Sequence, residues 1–350
     1  MEVRTMMIEP HLVAIAASRR QRSRVLVTGA AGFLGTLVCA ELAGQGYTVR
    51  ALDLPGVDIG PIRPHIDEFI SADINGPRSE LEQALSGCTH VVHAAATTNG
   101  LCADDYYRTN HRGTRNLLRA VEHSGVSLVR FVHISSIAAR GPLRAATARC
   151  PPDGPGPVTE YGWSKRLAEL EVLDRADRVP VTIIRPPPMY GPGDRQTLEV
   201  FRLASLGLDL QAGQGFRCLS LLFGPDGARA IGAALDAPLP SGTVLDLNGP
   251  APINSNELAA AVIAAVGRTH HLRLHVPPPI FRTLARLADL VGKLKGAALP
   301  FNSFKTSEFL APDWHIDSGP TQQALGWQPM MGLVEGMQYT AQWYRDNDWL

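Results

Sequence analysis

Lysine is scarce in this chain. Of the 33 basic residues among 350, four are lysine: Lys165, Lys293, Lys295 and Lys305. Arginine serves wherever a generic positive charge suffices. A single lysine in the first 292 residues therefore marks a place for a compact, proton-sharing ammonium rather than a planar guanidinium. Net charge is also missing. The basic residues are balanced by 33 acidic ones and only 19% of residues are charged, which excludes an electrostatic nucleic-acid binder. No apolar run reaches the roughly 18 residues that read as a membrane-spanning helix, so no transmembrane segment is expected. The 45% hydrophobic content is ample for a buried core. Five cysteines (Cys39, Cys88, Cys102, Cys150, Cys218) are odd in number, widely spaced and free of any C-x-x-C. Neither a disulfide framework nor a zinc site is indicated, and a reduced, cytoplasmic setting is expected. The histidines form no H-E-x-x-H, and no metal is expected.

Residues 1–22 precede the first strand pattern. Their apolar stretch, 11–17, is short and is followed rather than preceded by arginines, so a flexible tail is expected and a secretory signal is not. From Arg24 onward, short β-branched runs alternate with helical stretches. Strands are expected near 24–28, 48–53, 68–72, 89–93, 128–134 and 180–184, with helices near 33–44, 78–86, 105–124 and 159–176. Continuous apolar strands separated by helices argue for a parallel sheet covered on both faces, an α/β doubly wound (Rossmann) fold. After Pro186 the rhythm breaks into Pro- and Gly-rich pieces, with helices near 226–236, 254–266, 279–295 and 333–346 and a strand near 243–247. This predicts a dinucleotide-binding domain over 23–185 and a smaller C-terminal α/β substrate lobe over 186–350, with a segment near 220–250 returning to the first domain.

The first strand runs into Thr28-Gly29-Ala30-Ala31-Gly32-Phe33-Leu34-Gly35. Glycines at this spacing, between a strand and a helix, let backbone N–H groups and the helix N-terminus approach a pyrophosphate. The second strand ends in Asp53, eighteen residues past Gly35, where an acid accepts the adenosine ribose hydroxyls. A carboxylate there repels a 2′-phosphate, so NAD is the expected cofactor. Arg50 keeps NADP as the second candidate.

Further along, Ser135-Ser136 close a strand, and Tyr161-Gly162-Trp163-Ser164-Lys165 open a helix. Tyrosine and lysine four apart share a helical face. A phenol must lose its proton near neutrality to act as an acid/base; a neighbouring ammonium together with the positive nicotinamide of the oxidised cofactor stabilises the phenolate, whereas an apolar wall alone pushes the other way. Lys165 fits that role, and a lowered Tyr161 pKa is expected. Ser136 would hydrogen-bond the substrate oxygen, with Ser135 the adjacent candidate.

These residues add up to a resemblance. From about Arg24 to the C-terminus the chain resembles the extended short-chain dehydrogenase/reductases, the NAD-dependent epimerase/dehydratase family. The matching pieces are TGAAGFLG at 28–35, Asp53, Asp73-Ile74, HAAA at 93–96, Asn110, SSIAARG at 135–141, YGWSK at 161–165 and RPPPMYGPGD at 185–194. The resemblance implies Tyr161 as general acid/base, Lys165 on the nicotinamide ribose and Ser136 polarising the substrate oxygen. It implies cofactor contacts from Gly29, Gly32, Phe33, Leu34, Gly35, Asp53, Asp73, Ile74, Ala94, Ala95, Asn110, Tyr161, Lys165 and Pro188. Substrate contacts are expected from Thr97, Ser136 and Met189.

Departures from subgroup patterns narrow the activity. Sugar dehydratases of the family carry Asp-Glu where Ile137-Ala138 stand, which disfavours dehydration. Nucleotide-sugar epimerases carry an asparagine where Pro188 stands, and an arginine a short fixed distance before a V-D-D-like stretch. Here Arg217 precedes Asp226 by nine residues in an apolar context. What remains resembles the 3β-hydroxysteroid dehydrogenase-like and dihydroflavonol reductase-like members. The expected activity is NAD(P)-dependent interconversion of a secondary alcohol and a ketone on a small or medium apolar substrate. The alternatives are a nucleotide-sugar 4-epimerase and a non-catalytic cofactor sensor. Relatives dimerise through the two helices near 105–124 and 159–176, so a homodimer is expected. The helix near 279–295 carries an apolar stripe including Ile280, Leu284, Leu287, Val291 and Leu294. Read from spacing alone, the stripe faces the core of the second lobe; a lid, or a face resting on a membrane, is the sharper alternative.

Overall fold

The computed structural model describes residues 20, 21, 23–143, 155–213, 215, 218–299, 301–311 and 313–350. Most of the expected N-terminal tail, Cys150 and Arg217 lie outside the described residues. In chain order the first half comprises β1 (Arg24–Thr28), α1 (Phe33–Gly44), β2 (Thr48–Asp53), β3 (Glu68–Ser71), α2 (Arg78–Leu85), β4 (His90–His93), α3 (Ala103–Tyr106), a π-helical stretch (Tyr107–Gly113), α4 (Thr114–Ser124), β5 (Arg130–Ile134), α5 (Glu160–Leu173) and β6 (Val181–Arg185). Then come β7 (Met189–Tyr190), α6 (Leu198–Ser205), β8 (Leu208–Ala212), β9 (Cys218–Leu219), β10 (Leu222–Phe223), α7 (Gly224–Asp236) and β11 (Thr243–Asp246). The chain closes with α8 (Ser255–Ala265), β12 (Leu272–Val276), α9 (Pro278–Lys295), α10 (Thr306–Leu310), β13 (Asp313–Trp314), α11 (Gly319–Leu325) and α12 (Leu333–Asp346).

Seven strands form one parallel sheet in the order β11-β6-β5-β4-β1-β2-β3. Val25 and Val27 pack into one core cluster and Leu26 into another. Successive side chains of a strand point to opposite faces, so an unbroken apolar β1 supplies both helical layers. One layer includes α1 and α7, the other α2, α4 and α5. The strand order reverses between β1 and β4, and in such sheets ligands bind in the crevice outside the carboxyl ends at that point. β11 sits at the edge beside β6, with Asp246 in register with Arg185.

A third cluster, including Phe201, Val262, Trp314, Met337 and Tyr344, forms the core of the C-terminal lobe. Asp226 joins it to the sheet. Its carboxylate accepts the N–H groups of Met330 and Met331 at 2.9 Å and pairs with Arg229.

Two expectations need correction. The helix near 105–124 is interrupted by the π-helical stretch, which carries Asn110 and buries Gly113 against Ile74. The apolar stripe of α9 faces solvent: only Ala285 and Gly292 of this helix are buried. Periodicity defines a stripe, but not which side of it meets the protein.

Candidate active site

The glycine turn follows β1 at the strand-order reversal. Gly29 has a left-handed φ of +67°, and a Cβ there would meet Ala95 Cα at 2.6 Å. A Cβ on Gly35 would meet Ala30 Cα at 2.7 Å. Only glycine allows this close passage of turn, helix and β4 loop. Gly32 caps α1 with no side-chain hydrogen bond, and the first turn holds no acid. The free N–H groups and positive end of a twelve-residue helix are thereby left for an anion, which fits the pyrophosphate of a dinucleotide. Asp53 Oδ2 accepts the Ala31 N–H at 2.8 Å, and Oδ1 accepts that of Leu54. The half-buried acid is thus fixed at the turn with lone pairs to spare for ribose hydroxyls.

Arg50 is not available for a 2′-phosphate. It donates to Glu68 at 2.7 Å and to the Ala84 and Ser86 carbonyls, also at 2.7 Å, with its side chain buried. Leu34 packs on the sheet core, and the Phe33 ring lies over Gly224. Asp73 is half-buried with Oδ1 accepting the Asn75 N–H, whereas the Ile74 side chain is buried against Gly113. Ala94 and Ala95 pass directly over Gly29.

Asn110, 1% exposed, acts as a clamp. It accepts the Thr97 N–H at 2.8 Å, donates to the Thr97 carbonyl at 3.0 Å and donates to Ser164 Oγ at 2.9 Å. The wider π-helical turn thus connects the loop after β4 to α5. Thr97 is tied into this clamp. Met189 packs its sulfur over Gly227 in the sheet core, while Pro188 is exposed and its carbonyl accepts the Leu222 N–H.

The N-terminus of α5 docks on the turn after β5. Thr159 caps it, accepting the Gly162 N–H at 3.1 Å, and a Cβ on Gly162 would meet the Ala138 carbonyl oxygen at 2.5 Å. That contact brings Tyr161 beside Ser136, whose hydroxyl accepts the Ala138 N–H at 3.1 Å and works to lower the phenol pKa. Lys165 is 3% exposed and donates to the Ile134 carbonyl at 2.8 Å. Burial lowers its pKa to about 8, partly offset by Glu169.

The expected acidity of Tyr161 needs correction for the chain alone. Burial holds the phenol above its ordinary pKa, opposed by the Ser136 hydrogen bond and reinforced by Glu308 and Tyr106. The Lys165 ammonium is directed at the Ile134 carbonyl, so local desolvation governs the phenol. A positive charge beside the ring is the remaining means of lowering it.

Several further groups support the site, and of Glu169, His93, Glu308 and Tyr106 only His93 falls within a piece of the family resemblance. Glu169, fully buried, accepts two hydrogen bonds from Arg185, one from Ser135 and a longer one from Arg166 at 3.2 Å. His93 bridges Thr28 and Thr114 and is held neutral by burial, its pKa lowered to about 3, beside a buried His133 at 5.4 Å. Glu308 of α10 accepts from Thr159 at 2.5 Å. Tyr106 lies edge-on to Tyr161 at 6.2 Å and to Phe304 at 5.8 Å. These pairings are tertiary and leave no local periodicity.

Comparison with known proteins adds to this geometry. The chain is 28% identical over 333 residues to a ceramide reductase of Caulobacter vibrioides, covering 94% of this chain and 96% of that protein. It is 29% identical over 347 residues to a UDP-glucose 4-epimerase of Vibrio cholerae, covering 93% and 96%. Among solved structures, the UDP-glucuronic acid 4-epimerase of Bacillus cereus in complex with UDP-glucuronic acid and NAD superposes with a TM-score of 0.71. The two are 21% identical, and the match covers 93% of this chain and 99% of that one. The model of the NAD dependent epimerase/dehydratase family matches residues 25–239. With its glycine turn, the Asp53 carboxylate fixed at that turn and its seven-stranded parallel sheet, the chain belongs to that family and is an NAD-dependent enzyme of the oxidoreductase type.

Proposed function

We propose that this enzyme interconverts a secondary alcohol and a ketone on an apolar substrate. The observation that carries this reading is the surroundings of Tyr161. Its ring lies edge-on to Tyr106, with Phe304 beyond, and the Ser136 hydroxyl works against burial to lower the phenol pKa. Ile137 and Ala138 stand where dehydratases of the family place an acid and a base. The likeness to a ceramide reductase along nearly the whole chain supports an apolar substrate.

Bound NAD supplies the hydride acceptor or donor at C4 of its nicotinamide. The chain's own residues do the remainder. The uncapped α1 N-terminus and Asp53 hold the cofactor's anionic and ribose parts. Lys165, fixed by the Ile134 carbonyl, presents its ammonium to the nicotinamide ribose and to the proton path. Ser136 holds the substrate oxygen, and Tyr161 takes or returns the hydroxyl proton. Holding alcohol and cofactor in one crevice removes much of the entropic barrier.

The second reading, a nucleotide-sugar 4-epimerase, is favoured by the Vibrio cholerae relative. Mixing the enzyme with NAD+ and a panel of hydroxy acids, sterols, ceramides, flavanols and UDP-sugars separates the two. Accumulation of reduced cofactor with an apolar alcohol supports the dehydrogenase. Inversion of a UDP-sugar without net reduced cofactor overturns it.

A dimer built on α4 and α5 is also proposed. Trp163 and Leu170, one heptad apart on α5, are 47% and 48% exposed. Sedimentation of the wild type as a dimer, and of Trp163→Asp/Leu170→Asp as a monomer, is the expected result; a monomeric wild type removes the proposal.

A further inference from the structure

Helix α9 turns its apolar side to water. Ile280, Leu284, Leu287, Leu290, Val291 and Leu294 are 53%, 46%, 55%, 56%, 40% and 81% exposed. Its inward side is made by Ala285 and Gly292, with Phe281 edge-on to Phe301 and Phe309 at 4.9 and 6.0 Å. On a helical projection the six exposed residues span an arc of about 120°. A surface helix ordinarily carries polar residues there.

The borders of the arc are cationic. Arg282, Arg286 and Lys293 line one flank and Lys295 the other, all exposed. The helix's one acid, Asp289, is half-buried, its Oδ1 accepting the Ser303 N–H at 3.0 Å. An apolar strip edged by four cations and no exposed acid complements an anionic lipid headgroup layer over an acyl interior. A second copy of the chain is a poorer match. Antiparallel pairing about a two-fold axis brings like flanks together and would set Arg282 and Arg286 against Lys293 of the other helix, cation against cation.

We propose that α9 is an interfacial helix that docks this enzyme on an anionic membrane surface. The six apolar side chains enter the headgroup/acyl boundary and the four cations meet lipid phosphates. The helix does not span: no helix among the described residues is long and apolar enough to do so. The surface also lies close to the chemistry. Leu101, just before α3, packs beside Gly292, and the Ser303 N–H is held by Asp289. Next in the chain, Phe304 lies edge-on to Tyr106, which lies edge-on to Tyr161. Substrate delivery from the lipid rests on the proposed reductase reading, whereas the docking itself does not.

Vesicle flotation of the full chain is the test, because it reads binding and not turnover. The chain is expected to float with mixed phosphatidylcholine/phosphatidylglycerol vesicles, to float far less with phosphatidylcholine alone, and to release as salt is raised. Reversing all four cations (Arg282→Glu, Arg286→Glu, Lys293→Glu, Lys295→Glu) is expected to weaken binding by roughly a hundredfold or more. Leu287→Asp/Leu294→Asp is expected to abolish flotation while leaving NAD binding unchanged, which shows that the variant is folded. Failure of the wild type to float, equal flotation with neutral vesicles, or a wild-type dimer that the double leucine variant dissociates would each overturn the proposal. Loss of activity on every apolar alcohol would instead overturn the catalytic reading and leave flotation intact.

Discussion

Arg185 meets Glu169 through two parallel hydrogen bonds of 2.7 Å, Nε to Oε1 and Nη2 to Oε2, with both side chains almost fully buried. Ser135 adds a third bond to the same carboxylate at 2.6 Å. This pair ties the ends of β5 and β6 to α5, one turn beyond Lys165, and so fixes the strand end that presents Ser136 to the helix that presents Tyr161.

Removing Arg185 takes both short charge-assisted bonds from the buried Glu169 carboxylate and leaves it the longer Arg166 contact at 3.2 Å and the Ser135 hydroxyl. Arg185→Met is therefore expected to destabilise the chain by about 3–5 kcal/mol. The double variant Arg185→Met/Glu169→Leu should recover part of that loss, since the buried carboxylate goes with its main partner, while Arg166 and Ser135 lose theirs. Urea unfolding of the three proteins checks this, and a single variant within about 1 kcal/mol of wild type would show that the pair is not structural.

Lys165 should pull stability and activity in opposite directions. Burial lowers its pKa to about 8 in the fold from an ordinary value of 10.5. Below pH 8 the folded chain holds a disfavoured ammonium. From pH 8 to 10.5 the unfolded chain binds more protons than the native one, so this contribution to stability rises with pH. Lys165→Met removes the burden and is expected to raise stability at pH 7 by on the order of 1–3 kcal/mol while abolishing turnover. Thermal melts at pH 7 and pH 10 check the sign: the gain should shrink at the higher pH.

How much of this was legible in the sequence follows from which interactions are local. The glycine turn, Asp53 and the Tyr161/Lys165 spacing are adjacent in sequence, so their pattern survives without a fold. The seven-stranded sheet is legible because strands buried on both faces read as continuous apolar runs. Glu169 and Arg185, sixteen residues apart, look like any surface acid and base until two elements pack. Glu308 and Thr159, separated by 149 residues, leave no trace at all. The stripe of α9 was visible but its direction was not. The acidity expected for Tyr161 depends on Lys165 together with a positive nicotinamide; in the chain alone burial, whose extent no spacing reports, holds the phenol above its ordinary value.

The glycine turn gives a steric prediction. In Gly35→Ala the new Cβ would lie 2.7 Å from Ala30 Cα and 2.8 Å from its carbonyl carbon. Backbone cannot swing aside as a side-chain tip can, so α1 must move away from the turn. A loss of about 1–3 kcal/mol is expected, as for overpacking elsewhere, together with loss of tight NAD binding measured by fluorescence quenching. Wild-type affinity in this variant would mean that the turn does not contact the cofactor.

Glu308 supplies the last prediction. Its carboxylate raises the Tyr161 pKa, while its own pKa is pushed up by burial and pulled down by Thr159 and Lys305. An acid whose folded pKa is raised holds more protons in the native state than in the unfolded one. Stability from this group is present at low pH and falls as pH rises from the ordinary carboxylate range through the raised value. Glu308→Gln keeps an oxygen for the Thr159 hydroxyl and removes the charge. Two effects are expected together. The fall in stability across that window should disappear, and the acid limb of the pH profile for alcohol oxidation, which requires the ionised phenol, should move to lower pH. The second effect distinguishes electrostatic tuning of Tyr161 from a purely structural contact, which would leave the limb in place. A limb that stays put or moves to higher pH would remove Glu308 from the set of groups that govern the reactive phenol.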